Sequence, residues 1–205
     1  MKIYKVSFDS EHYQQFLPDD QAIWNTDQLR FECKKKAAHW NPPKVYVDNP
    51  VLQKGNFYGL APGTIVVDSY AIEKLHTLLR MAGELLPLHH GGEEYSILNV
   101  TECVNALDED RTEWTMGRRT GAKLMIAAYA FKKDRLHQSS IFKLPERLVD
   151  LLVWERCNDP ESEFKAAVEQ FGLTGLKFDE VWDEERETLI RRSLFGVPLQ
   201  PGKRA

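Results

Sequence analysis

Cysteine is scarce in this 205-residue chain, which has only Cys33, Cys103 and Cys157. Three widely spaced thiols make neither a disulfide framework nor a C-x-x-C metal or redox pair, so they are expected to be reduced, as in a cytoplasmic protein. Long apolar runs are missing as well. No segment approaches the roughly 20 apolar residues that span a bilayer. The opening MKIYKVSF alternates polar and apolar residues instead of forming the unbroken core of an export signal. A basic excess is also lacking, with 31 acidic against 27 basic residues and a net charge of −4. That balance argues against nucleic acid as the main partner. A mild acidity would instead steer a basic protein partner. Walker, dinucleotide-fingerprint and G-x-S-x-G patterns are all absent, as are internal repeats and low-complexity tracts.

What is present is ordinary for a folded domain: 42% hydrophobic and 28% charged residues, enough to bury a real core. Ile3–Phe8 reads as a strand, and Ser10–Pro18 as a polar turn or short helical excursion. Pro42, Pro43, Pro50, Gly55, Gly59, Pro62 and Gly63 break the segment 42–63 into loop, with one short strand at Lys44–Val47. The stretch 41–63 could therefore join a small N-terminal lobe, residues 1–63, to the rest of the chain.

Thr64–Val67 is β-branched and apolar. A helix over 69–82 follows, capped by Asp68 or Ser69, with Ile72, Leu75, Leu78, Leu79 and Ala82 on one face and Gly83 suited to a left-handed stop. Strands are expected at Leu85–Leu88 and Tyr95–Val100, joined by the HHGGEE turn at 89–94. The apolar run Leu124–Phe131 fits strand or helix at that length, and strand is favoured.

Two short apolar runs, Ile141–Leu144 and Val149–Trp154, open the C-terminal module. The next segment carries helix punctuation. Asp159 is placed as N-cap and Pro160 at the first helical position, and Phe164, Ala167, Val168 and Phe171 form one stripe before a Gly172 stop. A strand at Leu176–Trp182 ends the run.

The sequence of elements from residue 64 to 182 includes LLPL at 85–88, YSILNV at 95–100, ALDED at 106–110, SIFKL at 140–144 and EQFGLTGLKFDEVW at 169–182. It resembles the bacterial immunity proteins of polymorphic toxin systems, the myxobacterial-type immunity domain long classed as being of unknown function. The resemblance implies an antitoxin role: a non-enzymatic protein that binds and blocks a cognate toxin, in the cytoplasm, with the toxin encoded by an adjacent gene. It carries no catalytic motif, no cofactor and no metal, and implies neither nucleic acid nor membrane as partner. A homodimer formed through an open sheet edge is compatible with the role.

Several groups could carry chemistry. His89, His90, Glu93 and Glu94 are a plausible zinc or iron donor set, but two glycines separate the donor pairs and a solvated hairpin tip is the simpler reading. Gly117-Arg-Arg-Thr-Gly121 could hold a phosphate, yet reads more simply as a flexible charged surface loop. Lys34–Lys36 reads as a solvated face. Cys33 with His39 is the nearest Cys/His pair and has no supporting context.

Two acidic clusters surround tryptophans. Asp108, Glu109, Asp110 and Glu113 flank Trp114, and Asp179, Glu180, Asp183, Glu184, Glu185 and Glu187 crowd Trp182. They read as solubilising charge or as a face for a basic toxin around an aromatic anchor. The residues assigned to such a face are Asp108, Glu109, Asp110, Glu113, Trp114, Asp183, Glu184 and Glu185. Trp182, closing an alternating strand, could equally be core.

The expected architecture is α+β, a mostly antiparallel sheet with amphipathic helices 69–82 and 160–171 packed on one face. An immunity-like domain would span 64–196, followed by a tail at 197–205. Two rival readings remain: an enzyme using HHGGEE or GRRTG, and a non-catalytic homodimeric scaffold.

Overall fold

The computed structural model describes residues 1–136 and 138–186. The end of the expected domain, Glu187 and the tail at 197–205 lie outside the described residues. In chain order the strands and helices are β1 (Lys2–Phe8), β2 (Gln15–Pro18), β3 (Val45–Asp48), β4 (Phe57–Tyr58), β5 (Val66–Asp68), α1 (Ser69–Ala82), β6 (Gly83–His90), β7 (Glu93–Val100), β8 (Glu113–Met116), β9 (Lys123–Ala128), β10 (Ile141–Leu144), β11 (Arg147–Glu155), α2 (Phe164–Gln170) and β12 (Leu176–Asp183).

The fold is α+β and its strand pairs are antiparallel, as expected. The strands, however, divide among several sheets. One four-stranded sheet has the order β10-β11-β1-β12, a second has β4-β5-β7-β6, and β2-β3 and β8-β9 form two-stranded sheets. The run Leu151–Trp154 explains why one sheet face was not enough. Its four consecutive residues are all buried, Leu151 and Val153 on one side and Leu152 and Trp154 on the other. A continuous apolar strand needs cover on both faces.

On its first side this sheet contributes Tyr4, Val6, Leu151 and Val153 to a core shared with Val67, Leu98 and Val100 of the second sheet. Leu75, Leu78 and Leu79 of α1 and Phe164, Ala167 and Val168 of α2 enter the same core. On its other side Ile3, Phe142, Leu152, Trp154 and Val181 pack against Leu107, Ile126, Tyr129 and Phe131. The far side of the second sheet (Val66, Leu86, Leu88, Tyr95 and Ile97) is covered by Phe16, Leu29, Phe31 and Val45.

Pairing crosses the boundary expected near residue 63. β1 lies between β11 and β12, hydrogen-bonded to both, and β4 pairs with β5. The opening strand is thus an inner strand of the sheet built by the C-terminal module.

Local punctuation holds for α1, whose first turn is capped by Asp68 accepting from the Ala71 amide at 2.7 Å. Gly83 differs from its expected role. Its backbone is extended (φ 167°) and begins β6 directly. Glycine is required because an added Cβ would lie 2.0 Å from the Asn99 carbonyl oxygen. The HHGGEE turn is a hairpin as expected, with Gly91 and Gly92 both at positive φ (59° and 81°). Gln15–Pro18, expected as turn or helix, is a strand paired with β3.

The second helix starts later than Pro160. Asp159 does accept from the Glu161 amide at 3.1 Å and the Ser162 hydroxyl at 2.6 Å, but it closes a turn and not a helix. Glu163, with extended backbone, has its carboxylate turned back onto the amides of Arg156, Cys157 and Asp159 at 3.0–3.2 Å. Helical geometry therefore begins at Phe164. Gly172 ends the helix at φ 62°, as expected.

Candidate functional site

Of the residues assigned from sequence to a docking face, Trp114 borders the core on the outer side of the first sheet. Trp114 on β8 and Trp182 on β12 both pack against it, and the Trp182 ring meets Phe131 edge-on with centroids 5.8 Å apart. Trp182 is thus partly core, one of the two readings the sequence allowed. The Asp108 carbonyl accepts from the Thr112 amide at 2.9 Å and its hydroxyl at 2.7 Å, closing the turn that leads into β8. Glu109 and Asp110 are exposed on that turn. Glu113 and Trp114 are half-buried, and Lys123 of β9 sits 4.8 Å over the Trp114 ring and 3.6 Å from Glu109.

The second acidic group is engaged mostly inside the molecule. Asp183 is only 6% exposed and lies 3.4 Å from Arg186 and 3.8 Å from Lys2 across the β1–β12 pair. Glu184 is ion-paired with Lys133 and with the amino group of Met1, which hold its carboxyl below the usual range. Glu185 is exposed. Of the eight assigned residues, Glu109, Asp110, Glu184 and Glu185 are exposed, and Glu109 and Glu184 among them are ion-paired.

The other candidates separate equally clearly. In the hairpin register His89 faces Glu94 and His90 faces Glu93. Successive strand residues point to opposite faces, so the four donors divide two and two. His90 is also occupied, its Nδ1 lying 2.9 Å from the Val45 carbonyl and its ring beside Phe16. The Lys34–Lys36 run is a strap over the second sheet, where the Lys36 amide donates to Glu84 and the Lys34 carbonyl accepts from Asn99. Cys33 and Cys103 are free thiols near each other; burial, then that second thiol, push the pKa of Cys33 up. Asp9, Glu11 and His12 bring three donors together, but the Lys177 ammonium lies 2.9 Å from Asp9 and 3.0 Å from Glu11. A cation already occupies that position.

Two buried polar groups were not singled out from sequence. Asp150, in the apolar run of β11, lies 2.6 Å from Lys5 and 3.2 Å from Arg147 and accepts from the Tyr129 hydroxyl at 3.0 Å. Burial alone would raise its pKa, yet Lys5 and Arg147 together hold it below the usual range. Lys143 of β10 is fully buried, donates to the Phe31 carbonyl, and has its pKa pushed down by burial to about 8. A single charged residue inside an apolar strand, as in SIFKL and LVDLLVW, was the available signal for both. A cavity of about 380 Å³ opens nearby, lined by Lys5, Gln15, Gly59, Thr64 and Asp150 among others.

The hairpin β8–β9, the turn before it, the strands β10, β11 and β12 and helix α2 all fall in one stretch that resembles a known class. That class is the immunity-protein domain. Residues 88–183, from late β6 to the end of β12, match the model of the Immunity protein family (Imm11). The resemblance read from the sequence thus holds over this range, beginning within β6 and not at residue 64. No curated protein matches the chain.

Proposed function

We propose that the chain is an immunity protein that neutralises a cognate polymorphic toxin in the cytoplasm by stoichiometric association, with no bond-making step of its own. The family match over residues 88–183 carries this reading. It is supported by the half-buried Trp114 beside exposed Glu109 and Asp110, since aromatic anchors ringed by polar groups are typical of binding surfaces. Glu185 would lie at the rim. The partner is a toxin encoded by the adjacent gene, and tight inhibition calls for an interface of about 1,600 Å².

Co-expression with the neighbouring toxin tests the reading. Restored growth together with a one-to-one complex on gel filtration is the expected result. No rescue and no complex would reject it, as would turnover of a small molecule by the isolated protein that one pocket substitution abolishes.

A further inference from the structure

Among the described residues the β8–β9 hairpin is a two-stranded sheet of its own, paired with no other strand. Its tip, Gly117 to Ala122, is closed on itself. The Gly117 amide donates to the Ala122 carbonyl at 2.8 Å, the Gly121 amide to the Gly117 carbonyl at 2.8 Å, and the Ala122 amide to the Thr120 hydroxyl at 3.2 Å. Gly121 takes φ +63°, with open space where a Cβ would stand. A loop that satisfies its own amides has less freedom to lose on binding.

This tip presents Arg118 and Arg119 side by side and exposed, with no ion pair to either among the described residues. Next to them on the two strands, Met116 and Leu124 are 50% and 52% exposed. Trp114 stands below, under Lys123. Arg147 fixes the hairpin to the body by donating to the Leu124 carbonyl at 3.0 Å. Arginine, methionine and aromatic residues are those enriched where proteins bind one another. An uncompensated cationic tip is unusual on a chain of net charge −4. By contrast Asp183, Glu184 and Glu109 are each held by a neighbouring cation.

Resting on the immunity reading, we infer that this hairpin is the element inserted into the toxin, with Arg118 and Arg119 received by carboxylates in an acidic recess and Met116 and Leu124 sealing its apolar rim. Guanidinium groups suit this task because their fork of donors fits a carboxylate in two parallel hydrogen bonds. The local charge requirement is thus opposite to that suggested by the whole-chain balance.

The test uses the full chain, the toxin encoded beside it as an inactivated variant for calorimetry, and the active toxin for growth rescue. The double variant Arg118→Glu/Arg119→Glu should melt like the parent, since neither side chain is hydrogen-bonded or ion-paired among the described residues. It should bind at least a hundredfold more weakly and fail to rescue. Arg118→Lys/Arg119→Lys should fall between, keeping charge but losing the fork. Lys34→Glu/Lys35→Glu, on the strap, should bind like the parent. Binding of the glutamate variant within threefold of the parent would overturn the inference while leaving the immunity reading intact. A parent chain that neither binds nor rescues would remove both. Tight binding of a 20-base-pair duplex by the parent, lost in the glutamate variant, would assign the tip to nucleic acid and overturn it too.

Discussion

Lys5 Nζ lies 2.6 Å from Asp150 Oδ1, joining adjacent strands β1 and β11 on a sheet face otherwise built of Ile3, Leu152 and Trp154. Arg147 and Tyr129 complete the set around the same carboxylate. The arrangement makes one aspartate answer for three elements: β1, β11 and the segment following β9.

Acid should therefore loosen this sheet. The folded pKa of Asp150 is below its ordinary value near 3.9, so the carboxylate contributes stability above that value and loses it as the pH falls through the depressed one. Asp150→Ala is expected to cost about 1–3 kcal/mol at pH 7, with the two proteins converging at low pH. Urea midpoints between pH 2 and 7 measure this. A constant gap across the range would contradict it.

Lys143 predicts a slope of the same sign in an alkaline window. Its amine titrates near 8 when folded and near 10.5 when unfolded, so between those values the unfolded chain holds the extra proton. Stability should rise with pH across that interval, by no more than about 1.4 kcal/mol per pH unit. Lys143→Met should lack the rise, which the difference between the two unfolding curves at pH 7.5 to 10.5 reads directly.

Phe164 is fully buried, with its ring edge-on to Phe57 at 6.0 Å and to Phe178 at 6.3 Å. Phe164→Ala should cost about 3–5 kcal/mol, because three elements lose contacts at one cavity. A melting temperature unchanged from the parent would place this helix outside the core.

Gly83→Ala forces a Cβ to within 2.0 Å of the Asn99 oxygen at the first pair of β6 and β7. A loss of about 1–3 kcal/mol or more is expected. Amide exchange at the start of the hairpin should show the disturbance first, and unchanged protection there would refute it.

How much of this was written in local sequence depends on the range of the interaction. Helix α1 was legible almost to the residue, since its cap and its apolar stripe lie within fifteen positions of each other. Helix α2 was legible in its stripe and its glycine stop but not in its start. The start is set by Glu163 reaching back to three amides, a loop geometry that no periodicity reports. The neighbours of β1 stand about 150 residues away on β11 and farther still on β12, and could not be read at all. The assigned carboxylates fared likewise: nothing near Asp183 in the chain reveals Lys2, and nothing near Glu184 reveals Lys133. Around GRRTG the residues were visible but the closed tip was not, because glycine and arginine alone do not distinguish a loose loop from one that binds its own amides.

Placing β1 between β11 and β12 has a consequence for synthesis. One edge of β1 can be filled once β11 has been made, but the other stays open until β12 follows it. Both pairings close long loops, and strand pairing of that range is slow to form. A chain cut short before β12 leaves β1 with an open edge and its sheet incomplete.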